Sequence, residues 1–265
     1  MGETTTREFC TTEVDGRILT VTINRPERMN ALHWMANEEL ATVFDEFCAD
    51  PELWVAIITG AGDRAFSAGN DLKYQAQEAG GEMKGGPKSG FAGLTARYDN
   101  DKPVIAAVNG VAMGGGFEIA LACDLIVAST NAVFALPEPK VGLAALAGGV
   151  HRLPRQIGLK RAMGMMLTGR RVGAEEGERL GFVNEVVEPS ELMTAARRWA
   201  DQIVECAPLS VRATKQAAMD GLKHGLIEDA MDEKYPAIHD LFHSEDFVEG
   251  PLAFAEKRPP QWKGR

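Results

Sequence analysis

Cysteines are scarce in this chain and stand far from one another. None of the four forms a Cys-x-x-Cys pair. A disulfide framework or a cysteine-rich zinc site requires closely spaced cysteines, so this spacing predicts neither. Isolated thiols are typical of a reducing compartment, and we therefore expect the protein to be cytoplasmic. The four residues are Cys10, Cys48, Cys123 and Cys206.

Long apolar runs and basic clusters are also missing. No uninterrupted apolar stretch reaches the length of a membrane span, and the first residues lack the charged start and apolar core of a secretory signal. The 28 basic residues are outnumbered by 38 acidic ones, which gives a formal net charge of −10. Such a balance repels nucleic acid and anionic lipid. We therefore expect neither nucleic acid nor a membrane among the partners.

Length and composition indicate an ordinary folded protein with room for an enclosed pocket. The chain has 265 residues, of which 45% are hydrophobic and 25% are charged, as in average globular proteins. A chain of this length exceeds the usual size of one domain. We predict a main α/β core over residues 1–195 and a helical C-terminal region over residues 196–265.

Strand signals and helix signals alternate through the first part of the chain. Residues 9–14 and 18–23 flank Asp15-Gly16, a pair that favours the tight turn of an antiparallel hairpin. Apolar residues then recur at helical spacing between positions 32 and 47. A helix is also predicted to begin near Asp71. The segment 80–90 is rich in glycine, lysine and proline and is predicted to be a mobile loop.

Short apolar runs at 54–59, 104–108 and 125–128 are typical of strands buried on both faces. A helix is predicted between two of them, at 116–122. Repeated strand, turn and helix units indicate the α/β class. After residue 191 the strand signals stop, and the pattern predicts helices at 192–206, 209–222, 227–242 and 245–257.

Two glycine-bearing turns, at 66–71 and 109–116, each follow a buried-strand pattern and lead into a helix. Helix starts carry unpaired N–H groups that bind negatively charged oxygen. If the N–H groups of Ala68 and Gly115 converge, they can accept the charge that develops on a thioester oxygen. One such donor is worth about 3 kcal/mol of transition-state stabilisation.

Two glutamates follow the second of these turns. Glu118 comes three residues after Gly115, and Glu138 stands between Pro137 and Pro139, which fix the local backbone. Two neighbouring carboxyl groups in an apolar pocket titrate apart, so that one is ionised while the other is protonated. That arrangement suits the activation of water together with proton transfer to carbon.

Three other interpretations compete with this one. Gly60-Ala61-Gly62-Asp63-Arg64-Ala65 fits a loose dinucleotide-binding pattern, but that pattern requires a helix directly after it. His239 and His243 have the spacing of a metal-binding pair on a helix, without a suitable third ligand, and no metal site is predicted. A non-catalytic acyl-CoA-binding or scaffold protein is also possible, because a fold does not determine a function.

Stretches along nearly the whole chain resemble the crotonase, or enoyl-CoA hydratase/isomerase, superfamily. They are Asn24-Arg25-Pro26 with Asn30-Ala31-Leu32, the segment 65–72, the segment 102–110 with Gly114-Gly115-Gly116-Phe117-Glu118, and Phe254-Ala255-Glu256-Lys257-Arg258. The resemblance implies a crotonase-like spiral of repeated ββα units with a helical C-terminal region that mediates oligomerisation. It also implies a homotrimer or a dimer of trimers.

The resemblance further implies a reaction and its residues. The expected activity is that of an enoyl-CoA hydratase, which adds water reversibly to a 2-enoyl-CoA thioester. Glu118 then activates the water, Glu138 exchanges the proton at the α-carbon, and Ala68 and Gly115 supply the oxyanion-hole amides. Coenzyme A enters only as part of the substrate, and no separate cofactor is expected. The implied substrate-binding residues are Ala68, Gly69, Asn70, Asp71, Leu72, Gly115, Phe254 and Lys257.

The tail, from His243 to Gly264, resembles that of carnitinyl-CoA dehydratases in particular. Their substrate carries a trimethylammonium group, which favours an aromatic or acidic enclosure. The candidate aromatic residues are Trp34, Tyr74, Phe91 and Tyr98. The segment 141–149 lacks a proline that is usual in the superfamily, and we expect the acyl pocket to differ there. The loop 75–93 is expected to decide the acyl preference.

Overall fold

The computed structural model describes residues 2–77 and 86–265 of the chain. Within these residues the strands form two sheets. The strands are β1 (Glu3–Thr6), β2 (Cys10–Asp15), β3 (Ile18–Ile23), β4 (Val55–Gly60), β5 (Ala65–Ser67), β6 (Val104–Val108), β7 (Val111–Met113), β8 (Leu125–Ser129), β9 (Val133–Ala135), β10 (Val172–Gly173) and β11 (Glu185–Val187).

The α-helices follow the strands at intervals and dominate the end of the chain. They are α1 (Trp34–Ala49), α2 (Leu72–Gln77), α3 (Gly115–Ala122), α4 (Gly149–Ile157), α5 (Leu159–Thr168), α6 (Ala174–Leu180), α7 (Leu192–Val204), α8 (Pro208–Gly221), α9 (Ile227–Asp232), α10 (Pro236–Phe242) and α11 (Glu245–Glu256). Short 3₁₀ turns add Pro26–Arg28, Phe91–Gly93, Glu138–Val141 and Pro189–Glu191.

The larger sheet has the strand order β1-β2-β3-β4-β6-β8-β11, and the smaller sheet has the order β10-β9-β7-β5. Strands β3, β4, β6, β8 and β11 run parallel to one another, as do β5, β7 and β9, whereas β1, β2 and β10 are antiparallel to their neighbours. Each turn of the chain therefore adds one strand to each sheet before a helix follows. This repeat confirms the predicted α/β spiral of ββα units.

The parallel strands lie in the interior, as their continuous apolar sequences predict. Every residue of β4 and β6 is buried. On one face of the larger sheet, Ala195, Ala196 and Ala200 of α7 pack against Ile57 and Ile105. The small side chains let the helix lie close to the sheet. Helix α7 runs across position 195, and the division of the chain there stays a prediction.

Most predicted elements are present, with one clear error. The hairpin is confirmed, with Asp15 paired to Ile18 and Gly16 in a left-handed conformation at φ 60°. The single helix predicted at 227–242 is wrong, because it is two helices, α9 and α10. Pro236 has no N–H to donate and disfavours a helical conformation at Tyr235. Part of the predicted loop at 80–90 lies outside the described residues.

Candidate active site

The two glycine-bearing turns meet at the start of α3. A methyl group placed on Gly69 would lie 2.6 Å from the Met113 carbonyl oxygen and 2.8 Å from the Gly115 amide nitrogen. A methyl group on Gly116 would overlap the Ser67 carbonyl oxygen. Gly69 also has φ 86°, which side chains other than glycine rarely adopt. Only glycine allows the two backbones to approach this closely.

The amide groups at this junction differ from the predicted pair in one position. The Ala68 N–H donates a hydrogen bond of 2.9 Å to the Met29 carbonyl oxygen, so it is not free to bind a substrate oxygen. The predicted role of Ala68 as a donor is therefore contradicted. The N–H groups of Asn70 and Gly115 have no hydrogen-bond partner within the described residues. Gly115 is the first residue of α3, where a helix offers no acceptor.

Asp71, one of the predicted binding residues, holds the local structure together. It is 7% exposed, and its carboxylate accepts a hydrogen bond of 3.1 Å from the Tyr74 N–H at the start of α2. The other oxygen lies 3.2 Å from the Arg25 guanidinium. Both carboxylate oxygens are therefore engaged inside the protein. Leu72 is 44% exposed beside it.

Glu118 lies on α3 and is 4% exposed. One of its carboxylate oxygens accepts a hydrogen bond of 2.9 Å from the Gly149 N–H, at the first position of α4. Burial raises the pKa of Glu118 to about 7, and the nearby Glu138 adds to this shift. The amides of Gly149 and Ala147 and the charge of Arg152 act in the opposite direction. No local sequence pattern predicts α4, and this contact was therefore not expected.

Glu138 lies on the other side of the same junction. It begins a 3₁₀ turn directly after Pro137 and is 9% exposed. A methyl group on Gly114 would lie 3.0 Å from its Oε1 atom. Its Oε2 atom is buried and has no hydrogen-bond partner within the described residues. Burial raises the pKa of Glu138 above its ordinary value. The structure thus places Glu138 beside Gly114, the residue before Gly115, and near Glu118 on α3.

Among the candidate aromatic residues, Phe91 reaches this junction. Its ring lies against Gly115, where an added methyl group would be 2.6 Å from the ring edge. The Trp34 Nε1–H donates to the Tyr74 hydroxyl at 3.1 Å, in a separate cluster beside α2. Tyr98 is 83% exposed. Among the four candidate residues, Phe91 is thus the one shown in contact with Gly115.

The predicted C-terminal binding residues lie apart from the junction in this chain. Phe254 is 87% exposed on α11, and Lys257 follows the end of that helix with φ 55°. Helix α11 packs against α10. Substrate binding by Phe254 and Lys257 therefore stays a prediction.

Two of the competing interpretations can be compared with the structure. The segment after Gly62 enters strand β5 instead of a helix, which contradicts the dinucleotide-binding pattern. The rings of His239 and His243 stack with centroids 4.2 Å apart. Across residues 2–77 and 86–265, no group of three potential metal ligands occurs. In the same part of the chain, no helix is long and apolar enough to span a membrane.

Comparisons with known proteins agree with this geometry. Residues 13–265 match the family described as enoyl-CoA hydratase/isomerase. The chain is 49% identical over 257 residues to a carnitinyl-CoA dehydratase of Escherichia coli, covering 95% of this chain and 97% of the relative. It is 47% identical over 258 residues to a carnitinyl-CoA dehydratase of Proteus mirabilis, covering 94% and 96%.

Solved structures show the same fold. An enoyl-CoA hydratase of Mycobacterium tuberculosis superposes with a TM-score of 0.90 at 39% identity, over 97% of this chain and 99% of that one. An enoyl-CoA hydratase of Bacillus anthracis gives a TM-score of 0.89 at 32% identity, over 97% and 100%. The chain belongs to the enoyl-CoA hydratase/isomerase family.

Proposed function

We propose that this protein is an acyl-CoA hydratase/dehydratase whose preferred acyl group carries a quaternary ammonium, as in carnitinyl-CoA. The reaction is the reversible addition of water to a 2-enoyl-CoA thioester. The observation that carries the proposal is the placement of two buried carboxyl groups, Glu118 and Glu138, near each other and beside the turn that leads to the unpaired amide of Gly115. The relatives named carnitinyl-CoA dehydratase support the acyl group.

The amides of Asn70 and Gly115 polarise the thioester. Two N–H groups aimed at the carbonyl oxygen stabilise the negative charge that develops there when water adds to the β-carbon. Because the amides are fixed by Gly69 and the start of α3, these groups need little reorganisation during the reaction. Asn70 replaces Ala68 in this role because the Ala68 N–H is already bound to Met29.

The two carboxyl groups move the protons. Glu118 takes a proton from water as the water oxygen bonds to the β-carbon, and Glu138 gives its proton to the α-carbon. The two groups then exchange one proton, which restores the starting state, and the reverse sequence is dehydration. Burial raises the pKa of both groups, so that the pair can hold one proton near neutral pH.

The Phe91 ring supports a cationic acyl group. A quaternary ammonium is attracted to the face of an aromatic ring within about 6 Å, an interaction worth about 2 kcal/mol when desolvated. In carnitinyl-CoA the ammonium is two bonds from the β-carbon. The ring of Phe91 lies against Gly115, and in this proposal Gly115 binds the carbonyl end of the same short chain.

A kinetic panel tests both parts of the proposal. Hydration rates are measured with crotonobetainyl-CoA, with its uncharged isostere 5,5-dimethylhex-2-enoyl-CoA and with crotonyl-CoA, and are compared as kcat/KM. We expect the charged substrate to exceed the isostere by about tenfold or more. Equal values for the two isosteres contradict the cation preference. Absence of turnover with every acyl-CoA contradicts the hydratase and favours a non-catalytic acyl-CoA-binding protein.

Association into a homotrimer or a dimer of trimers is part of the same proposal. Large apolar side chains are exposed on the C-terminal helices, including Ile227, Met231, Phe242 and Phe254. Contiguous exposed apolar surface favours association between proteins. Phe254 and Lys257 then serve a neighbouring subunit's coenzyme A. Sedimentation equilibrium measures the assembly, and a monomer that remains fully active contradicts it.

A further inference from the structure

The guanidinium of Arg152 contacts the loop at Ala147 and Gly148, which leads to the Gly149 amide that donates to Glu118. Its Nη2 donates a hydrogen bond of 2.8 Å to the Thr95 carbonyl oxygen, and its Nη1 lies 3.4 Å from the Ala147 carbonyl oxygen. Arg152 is half-buried and forms no ion pair with a carboxylate within the described residues. Burying a cation with only carbonyl groups as partners costs free energy. This cost indicates that the position of Arg152 serves a role in the protein.

The Arg152 guanidinium occupies the space that a side chain at position 148 would fill. A methyl group on Gly148 would overlap Nη1 of Arg152, and the residue has φ 109°, outside the range that side chains favour. The Arg152 N–H also donates to the Gly148 carbonyl oxygen at 2.8 Å. The next residue is Gly149, whose N–H bonds to Glu118. The bond to the Gly148 carbonyl comes from the main chain of Arg152, whereas its guanidinium packs against Gly148, whose peptide carries the amide that Glu118 uses.

The same side chain joins two walls of the site. Thr95 follows the 3₁₀ turn Phe91–Gly93, and its hydroxyl accepts a hydrogen bond of 2.8 Å from the Phe91 N–H. The Phe91 ring lies against Gly115. Arg152 thus links the segment that carries Phe91 to the start of α4. Movement of this one guanidinium disturbs both.

Few charges face Glu118 from the elements around α3. The 3₁₀ turn Glu138–Val141 contributes Glu138, and α4 contributes Arg152, whose charge favours the ionised form of Glu118. Strands β5, β6 and β7 and the turn Phe91–Gly93 carry no charged residue. Among the described residues, the amides of Gly149 and Ala147 favour the ionised form of Glu118 more strongly, and the charge of Arg152 acts in the same direction.

We propose that Arg152 is a positioning residue for Glu118, which it serves by holding in place the loop at Ala147 and Gly148 that leads to the amide of Gly149. The inference rests on the proposed function only in that activity is one of its readouts. It predicts that changing Arg152 alters the ionisation of Glu118 as well as the reaction rate.

The test compares the substitutions Arg152→Gln and Arg152→Lys by the pH dependence of kcat/KM. In Arg152→Gln the acidic limb moves to higher pH, because the loop that carries the Gly149 and Ala147 amides loses its anchor and the ionised form of Glu118 loses a nearby cation. The rate at neutral pH falls about tenfold or more. In Arg152→Lys the limb moves less, because the charge remains. Its kcat still falls severalfold, because an ammonium lacks the planar fork that reaches both carbonyl groups.

Arg155→Gln is the matched control. Arg155 is exposed one turn further along α4 and donates to the His151 carbonyl oxygen at 2.8 Å. In this variant the acidic limb of the kcat/KM profile and the rate at neutral pH are expected to match those of the wild type. A limb that stays in place in Arg152→Gln, with a lower rate or melting temperature, contradicts the proposal and leaves only a structural role. Should Arg152→Gln fail to fold, an unchanged kcat in Arg152→Lys is the contradicting result.

A second readout separates this inference from the proposed function. Infrared difference spectra between the wild type and Glu118→Gln report the protonated fraction of the Glu118 carboxyl group at each pH, without substrate. In the Arg152→Gln background the midpoint of this titration is expected to rise. If no acyl-CoA is turned over but the midpoint rises, the proposed function fails and the positioning role stands. An unchanged midpoint contradicts the role whatever the activity.

Discussion

Carboxyl groups at the start of α3 and carboxyl groups in the C-terminal region have opposite surroundings. Glu118 and Glu138 are buried and form no ion pair within the described residues, and burial raises the pKa of both. Glu249, in α11, accepts two hydrogen bonds from Arg258, at 2.6 and 2.8 Å. That partner lowers the pKa of Glu249 to about 2.

The difference shows how one residue type serves two purposes. A carboxylate beside a guanidinium stays ionised near neutral pH. It has no proton to donate, and its ion pair links two parts of the chain. A carboxyl group that is desolvated and only partly compensated can gain and lose a proton near neutral pH. The comparison predicts that reactivity is concentrated at α3 and that the C-terminal ion pairs contribute to stability alone.

The largest expected effect comes from removing the proton-transfer groups. Glu118→Gln and Glu138→Gln should each lower kcat/KM by about 10² to 10⁴, because proton transfer to or from the reacting carbons is lost while the shape is kept. Steady-state hydration kinetics measure the loss. The matched control is Glu249→Gln, which should retain full activity. Near-normal rates in both site variants would contradict the proposed difference in reactivity between the carboxyl groups at α3 and those in the C-terminal region.

The next effect comes from the backbone at the junction. Gly69→Ala forces a methyl group towards the Met113 carbonyl and the Gly115 amide, so the oxyanion donors must move apart. We expect kcat to fall by at least about tenfold, because misplaced donors stabilise the enolate poorly. Gly158→Ala is the control, since Gly158 has a similar φ of 82° but no atom within 4 Å of the added methyl group. Equal losses in kcat for the two variants would mean that backbone strain alone is responsible.

Stability should depend on the ionisation of Glu118 in a definite direction. Its pKa rises from 4.5 to about 7 on folding, so the folded state holds the proton more tightly. The contribution is present in full below about pH 4.5 and is lost as the pH rises through about 7, with a total of about 3 kcal/mol. Urea unfolding of the wild type and Glu118→Gln at pH 4.5 and pH 8 measures it. The variant should gain relative stability at pH 8, and a gap independent of pH is the contradicting result.

The smallest effect is expected at Glu249. Its pKa is lowered on folding, so its contribution to stability is present above the ordinary glutamate pKa and is lost as the pH falls towards about 2. Glu249→Gln should lower the melting temperature slightly at pH 7, and the difference should shrink in high salt because salt screens exposed charges. A loss of turnover in Glu249→Gln would show that a C-terminal ion pair is needed for catalysis, which would contradict the comparison of the two regions.

Much of this molecule could be predicted from its sequence where the signal is local. The buried strands β4 and β6 follow from continuous apolar runs, and the hairpin between β2 and β3 follows from Asp15-Gly16. The helix break at Pro236 was missed, although the proline itself was the signal. Residues 130–190 gave no prediction of α4, α5 or α6, because their helical periodicity is interrupted by glycine and by Pro154.

The site residues also fall into two groups, those with a local sequence signal and those without one. Glu118, Glu138 and Gly115 could be predicted as site residues because Gly115 and Glu118 lie at a recognisable turn and Glu138 stands between two prolines. The contacts of Gly149 and Arg152 with the site could not be identified, since they depend on a helix that approaches from distant sequence. The role assigned to Ala68 failed for a similar reason: its N–H is occupied by Met29, 39 residues earlier in the chain, and no local pattern reports that bond.

The most direct test of the central claim is the product formed in deuterated water. The protein is incubated with crotonobetainyl-CoA in deuterium oxide, and the product is analysed by proton NMR. If the two carboxyl groups and the amide pair act as described, the product is the 3-hydroxyacyl-CoA with one deuterium at the α-carbon, placed stereospecifically. An unchanged substrate in the presence of folded protein, or random deuteration without hydration, contradicts the account.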